Sequence, residues 1–226
     1  MTLFKDDEIC GEASSFFASV LSTEDNLDVE AQNSLLEAIP SILSEEQNKF
    51  LISIPSKDQI KVVVFSFKGN KASGPNGFLM FFFQKFWHIV EKDVSDGVKE
   101  YLWARNLIKE LNSTFIVLVP KSIGAKPMDC FHPINLCNSF YKIISKVLTL
   151  RLLSVLPAII SPQLNDFFLG RQIIDSIITV HENIHSIEVS CKEGFLIKLD
   201  LYKAYDRVDW SFFLEFFMLL GFVAEL

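Results

Sequence analysis

Three short runs in this 226-residue chain have the residue types and spacing of chemical sites. His181-Glu182-Asn183-Ile184-His185 fits H-E-x-x-H. On a helix, histidines four apart share a face and could hold zinc, with the glutamate as base. A catalytic zinc needs a third protein ligand. The residues that follow, SIEVSCKEG, lack the glycine and histidine of the extended metalloprotease pattern. The better reading is a plain helix with two partly exposed histidines. Gly69-Asn70-Lys71-Ala72-Ser73-Gly74 has the glycine spacing of a phosphate-binding loop, but Pro75 and Asn76 stand where Lys and Ser or Thr are required. Without that lysine the γ-phosphate has no partner, and a tight Gly-Pro-Asn-Gly turn is the better account. Asp200 closes the apolar run Phe195–Leu199 and is followed at fixed distances by Lys203, Ala204, Tyr205, Asp206 and Trp210. A lone aspartate at a strand end is usually a turn former or helix cap. Those neighbours at fixed distances shift the balance toward a functional residue.

The elements that must position these residues follow from periodicity. Helical spacing covers residues 4–21 and about 28–38. Ser44-Glu45-Glu46-Gln47 and Ser56-Lys57-Asp58-Gln59 fit the capping box, and the second leads into a helix carrying Ile60, Val63, Val64 and Phe67. KGNKASGPNG at 68–77 is a loop by composition. A long helical region from about 79 to 105 is predicted, broken near Asp96-Gly97. Thr114–Val119 reads as a short buried strand closed by Pro120, and 121–133 as a loop. Ser139 opens a helix to Leu156, ended by Pro157 and Pro162. Helices are predicted again over Ile173–Val189 and Trp210–Leu220, with a strand at Phe195–Leu199 between them. The fold class is α+β, helix-rich, with a small incomplete antiparallel sheet.

Composition narrows the function classes. Half of the residues are hydrophobic and 22 are phenylalanine, so the chain can build a core and lacks the signature of disorder. No run supplies the roughly 20 clean apolar residues of a membrane span. The first twenty residues carry acids where a secretory signal needs a basic region, so secretion is not expected. Cys10, Cys130, Cys137 and Cys191 form no C-x-x-C pair and suit reduced thiols in the nucleus or cytoplasm. A net charge of −7 opposes a broad nucleic-acid surface, because phosphate binding rests on Lys and Arg. Acids concentrate in residues 1–60, whereas Lys68, Lys71, Lys121, Lys126, Lys142, Lys146, Arg151 and Arg171 lie in the later segments.

KLDLYKAYDRVDW at 198–210 resembles the first carboxylate motif of LINE-type (non-LTR) retrotransposon reverse transcriptases, especially plant elements. Other segments resemble the same family in the same order. They are NKASGPNGF at 70–78, FFFQKFWHIV at 81–90, LNSTFIVLVPK at 111–121, CFHPINLCNSFYKIISKVLTLRL at 130–152 and IISPQLNDFFLGRQIIDSI at 159–177. The resemblance spans about residues 40–226. It implies a helical N-terminal linker region at 1–59 and a partial reverse-transcriptase domain at 60–226, comprising fingers and the start of the palm. It implies RNA-directed DNA synthesis by two-Mg²⁺ phosphoryl transfer, with RNA template, DNA primer and deoxynucleoside triphosphate as partners. Asp200 would bind both metals and the Leu201 carbonyl one of them. The backbone amides of Lys203 and Ala204 would meet the triphosphate, and Tyr205 would exclude a ribose 2′-hydroxyl. Lys121 and the position of His132 would grip the nucleotide.

The departures matter as much. His132 stands where the family has arginine, and imidazole lacks the guanidinium's fork of donors. Asn76, Asn135 and Leu164 replace the family's Asp, Ser and Gln. The family's second motif, aromatic-Ala-Asp-Asp, has no counterpart, since Asp6-Asp7 is the sole Asp-Asp pair. One catalytic aspartate cannot hold two Mg²⁺ ions. The expectation is therefore a truncated, decaying reverse transcriptase, inactive by itself. The competing expectations are a non-catalytic RNA- or protein-binding remnant, self-associating through the apolar C-terminal helix FFLEFFMLLGF, and a zinc hydrolase using His181, Glu182 and His185.

Overall fold

A computed structural model describes residues 6–21, 29–161, 164, 170, 172–190, 194, 195, 197 and 208–224. It is helix-rich with one two-stranded antiparallel sheet among those residues, the α+β class expected. The chain divides into two compact units. One comprises Met1–Phe17, Glu45–Leu153 and Glu225–Leu226, the other Ala18–Ser44 and Ser154–Ala224. Helix α1, Asp6–Leu21, runs through the first boundary.

The first unit is built on α3 (Glu45–Ile52), α4 (Lys57–Ser66), α5 (Met80–Lys85), α6 (Trp87–Ala104), the short α7 (Lys109–Asn112) and α8 (Ser139–Leu152). The predicted capping box starts α4. Ser56 Oγ accepts the Gln59 N–H at 3.2 Å, and Gln59 Oε1 accepts the Ser56 N–H at 2.9 Å. That cap, with burial of Val63 and Val64, overrides the strand preference of the valine run. Ile60, Val63 and Val64 pack with Met80 and Phe83 of α5, Trp87, Val94 and Val98 of α6, and Ile143, Ile144 and Val147 of α8. Each fully buried aliphatic side chain here contributes about 1.5–3 kcal/mol.

Two local devices hold this core. Arg151 of α8 is buried and donates to Leu51 O at 3.0 Å, in the last turn of α3, and to Ser53 O just past its end. Burial pushes its pKa below the ordinary value. Gly97 of α6 faces the Phe140 ring of α8, where an added Cβ would lie 2.8 Å from Cζ. The expected helix break near Asp96-Gly97 is therefore corrected. The break falls at Phe86, which ends α5 and begins α6, while Gly97 stays helical and admits the ring.

Strand β1 (Thr114–Pro120) pairs antiparallel with β2 (Phe131–Cys137), reached through a 3₁₀ turn at Met128–Cys130. Two expectations change here. The loop expected over 121–133 ends earlier, because Phe131–Cys137 is a strand. Pro133 is tolerated since each strand of a two-stranded sheet is an edge. β1 is exposed along most of its length rather than buried, as no second layer of described residues covers it. Helix α8 stops at Leu152, before the expected Leu156, and its cap position is Asn138, one residue before the expected Ser139.

The second unit contains α2 (Val29–Glu37), α9 (Leu156–Ile159), α10 (Ile173–Val189) and α11 (Trp210–Leu219). Pro157 sits in the first turn of α9, where its missing N–H costs nothing, so it opens a helix instead of ending one. α2 packs against α11. Leu220 O accepts the N–H groups of Ile42 and Leu43 at 2.9 and 3.1 Å, and Leu36, Leu43, Leu220 and Phe222 are buried. Asp209 caps α11 through the Phe212 N–H at 2.8 Å. Phe217 stacks with Phe213 and Phe222, centroids 4.5 and 4.6 Å apart. No described helix is long and apolar enough to cross a membrane. The expected strand Phe195–Leu199 lies mostly outside the described residues.

Candidate functional site

The register of the hairpin settles where two predicted site residues stand. Val119 pairs with His132 and Pro120 with Phe131, so Lys121 lies one residue beyond the last pair. Paired residues share a face and so do residues two apart on a strand. Lys121 is therefore the diagonal neighbour of His132 on one face at the far end of the hairpin. The Lys121 N–H bonds Cys130 O at 2.9 Å, and its Nζ bonds Asp129 O at 2.7 Å. These bonds tie the lysine across the hairpin mouth while it stays exposed, as does His132. Loss of solvent raises the Cys130 thiol above its usual value, the charge of Asp129 adds to this, and Lys121 pulls the other way.

The hairpin's opposite end is fixed by a residue that motif reasoning passed over. Asn138 directly follows β2 and is fully buried. Its Oδ1 accepts the Asn76 N–H at 3.0 Å, and its Nδ2 reaches Glu110 O, Leu111 O and Ser113 O at 2.9, 3.2 and 3.3 Å. A flipped amide would oppose donor to donor and acceptor to acceptors, so the network assigns its orientation. Ser139 Oγ donates to Phe78 O at 2.7 Å and Lys142 Nζ to Ala72 O at 2.9 Å. Gly74 presses on the same spot. A Cβ there would lie 2.7 Å from Asn138 Oδ1 and closer still to the Cys137–Asn138 backbone. The Gly77 N–H closes a turn onto Gly74 O at 3.0 Å, with Gly77 at φ 75°. The predicted loop is thus a tight turn, as the sequence indicated, and its glycines serve packing rather than phosphate approach. The available sequence signal was Asn before the α8 periodicity, which marks a helix cap but not a tertiary hub.

The remaining predicted residues, Asp200, Leu201, Lys203, Ala204 and Tyr205, lie outside the described residues. Trp210 is exposed at the start of α11. His181, Glu182 and His185 are exposed on α10. Among the described residues no group of three or more His, Cys, Asp or Glu could hold a metal ion, so that pair finds no third ligand there. Cys10, Cys130 and Cys137 are free thiols. A cavity of about 320 Å³ in the first unit is lined by Phe50, Pro55, Val62, Val63, Val147 and Leu150 with Asp58, Gln59 and Arg151. It contains no predicted site residue, and both Gln59 and Arg151 already serve helix ends.

Comparison with known proteins gives the chemistry a context. Residues 120–222, from the last residue of β1 past α11, match the family model of reverse transcriptase (RNA-dependent DNA polymerase). A transposon TX1 uncharacterized 149 kDa protein from Xenopus laevis is 26% identical over 211 residues, covering 93% of this chain and 16% of that relative.

Proposed function

We propose that this chain, whose residues 120–222 match the reverse-transcriptase family model, supplies nucleotide-gripping fingers and the first palm strand of a retrotransposon polymerase that copies RNA into DNA. The observation that carries the reading is the coincidence of that match with the hairpin geometry, which sets Lys121 and His132 side by side on an exposed end. An ammonium there meets a triphosphate as a point charge, and His132 adds a weaker donor than a guanidinium. The motif resemblance further supports Asp200 as a catalytic carboxylate, the backbone of Leu201, Lys203 and Ala204 as metal and triphosphate contacts, and Tyr205 as the ring that rejects a 2′-hydroxyl. Its specific leaning toward plant elements rests on the quoted motifs alone.

Enzymes of this family use Mg²⁺. Among the described residues no cluster of three or more His, Cys, Asp or Glu could hold it, and Asp200 and Leu201, which would hold it by the motif resemblance, lie outside them. By itself the 226-residue chain offers Asp200 without an aromatic-Ala-Asp-Asp partner. The isolated chain is therefore expected to give no primer extension on an RNA template with Mg²⁺. Template-dependent DNA synthesis by it would overturn that expectation. Deoxynucleoside triphosphate binding, followed by titration calorimetry, tests the reading itself. Lys121→Ala should weaken binding and His132→Arg strengthen it. Binding indifferent to both would refute the assignment.

A second reading, a non-catalytic binding remnant, is favoured by one observation. Phe213, Leu214, Met218 and Leu219 of α11 are exposed, an apolar surface of the kind that marks association. Size-exclusion chromatography with and without RNA separates the two, since an RNA-independent monomer speaks against the remnant reading.

A further inference from the structure

A buried amide that bonds two separate backbone segments does more than fill space. Asn138 joins the Gly74–Gly77 turn, through the Asn76 N–H, to the α7–β1 junction, through the carbonyls of Glu110, Leu111 and Ser113. It does so at the root of the hairpin, where Thr114 pairs with Cys137. Gly74 allows the turn to sit directly on the Cys137–Asn138 backbone. Apart from that contact, Ser139 and Lys142 hold the same loop at Phe78 and Ala72, on the first turn of α8. Every one of these groups lies within the first unit.

We infer that Asn138 is a positioning residue whose side-chain amide latches the Gly74–Gly77 turn to the root of the β1–β2 hairpin, so that the two open and close as one piece. The geometry demands both functions of the amide. The turn needs an acceptor and the junction needs a donor, and among side chains of this length that are neutral at pH 7 the asparagine amide offers both. Loss of the amide removes the partner of the Asn76 N–H and a shared donor to three half-covered carbonyls, which loosens both segments together. The consequence for Lys121 and His132, carried at the other end of the same hairpin, rests on the nucleotide-gripping reading above. The latch itself does not.

Hydrogen exchange of the full chain, read by mass spectrometry on peptides from the turn (69–78), the junction (108–114) and α6, tests the latch without any nucleotide. In Asn138→Ala the first two peptides should lose protection together and by more than α6. Loss confined to one of them, or equal loss in α6, overturns the proposal. Asn138→Asp supplies a readout that simple destabilisation does not move. The carboxylate still accepts from Asn76 but opposes the three carbonyls, and burial disfavours its charge, so its pKa rises in the folded state. The protonated form can donate again. Relative to wild type at the same pH, protection of both peptides should therefore return as pH falls from about 8.5 to about 6, where the raised pKa takes effect. A flat pH profile sinks the latch. Should Asn138→Ala fail to fold, Gly74→Ala forces the turn away from the opposite side and must release the same two peptides. Release of the turn alone would show that the two segments are not linked. Nucleotide binding measured on the same variants bears on the polymerase reading separately, since protection of the two peptides is scored in its absence.

Discussion

The helical core and the β1–β2 hairpin belong to the same unit but spend their apolar residues in opposite ways. Ile60, Val64, Val98 and Ile143 are fully buried between α4, α6 and α8. Phe115, Ile116, Val117, Val119 and Ile134 of the hairpin are all exposed, although the strand sequences are just as apolar. The core holds the fold, whereas the hairpin is held at its root and carries its charged groups outward. Apolar content alone therefore says little about which residues stabilise this chain. What decides is whether an element has a second layer against it.

The sharpest way to break this contrast is a matched pair of truncations. Ile143→Ala should lower stability by about 3 kcal/mol, from lost burial plus the cavity left behind. Ile134→Ala removes the same atoms from an exposed position and should change stability by less than about 0.5 kcal/mol. Urea denaturation followed by circular dichroism measures both. Equal losses would mean that the hairpin is covered by something else in the folded chain.

Gly97→Ala tests how tightly the core is closed. Helix propensity favours alanine by about 1 kcal/mol, but the new methyl would press on the Phe140 ring. Overpacking of this kind costs about 1–3 kcal/mol, so a net loss is expected in the same denaturation experiment. A stabilised variant would show that the ring moves aside freely and that Gly97 is not needed for packing.

These contrasts also explain how far the sequence could be read. Helices α1, α2, α4 and α10 follow from periodicity and caps within a residue or a few, because local signals and tertiary packing agree. The strand β2 escaped notice since Phe131-His132-Pro133 carries a proline and a histidine. Its pairing depends on β1, a partner eleven or more residues away. The true burial of β1 was illegible for a related reason, since an apolar run states what a strand could bury but not whether a layer exists to bury it. The recognition of a non-LTR reverse transcriptase, drawn from ordered motif segments, agrees with the family match over 120–222. Lys121 and His132 were named from those motifs, while their shared face needed the register. Asn138 was hidden because its partners, Asn76 and the 110–113 carbonyls, lie 25 or more positions away in the chain.

A smaller effect probes the quality of the core from the other direction. Among the described residues, Ser95 Oγ on α6 is buried without a hydrogen-bond partner. An unsatisfied buried hydroxyl carries a desolvation penalty, and alanine is the better helix former. Ser95→Ala should therefore be neutral or stabilising by up to about 1 kcal/mol, in contrast to Ile143→Ala in the same unit. A clear loss of stability would reveal a partner for the hydroxyl.

The smallest expected effect lies at the hairpin mouth and is chemical rather than energetic. The Cys130 thiol is raised above its usual value, first by loss of solvent and next by Asp129, and Lys121 is the group that lowers it. Thiolate, not thiol, reacts with iodoacetamide. A raised thiol holds less thiolate near neutral pH, so Cys130 should alkylate slowly, and its rate should climb as pH rises toward that pKa. Lys121→Ala removes the one opposing charge, which raises the thiol further and slows alkylation again at a fixed pH. The variant leaves stability nearly unchanged, because the lysine is exposed and its loss opens no cavity. Mass-spectrometric rates at Cys130 in the two proteins, with exposed Cys10 as the internal reference, give the comparison. Faster alkylation in Lys121→Ala would mean that the Lys121 Nζ bond to Asp129 O holds the mouth shut, making the lysine a structural clasp before it is a charge offered to a ligand.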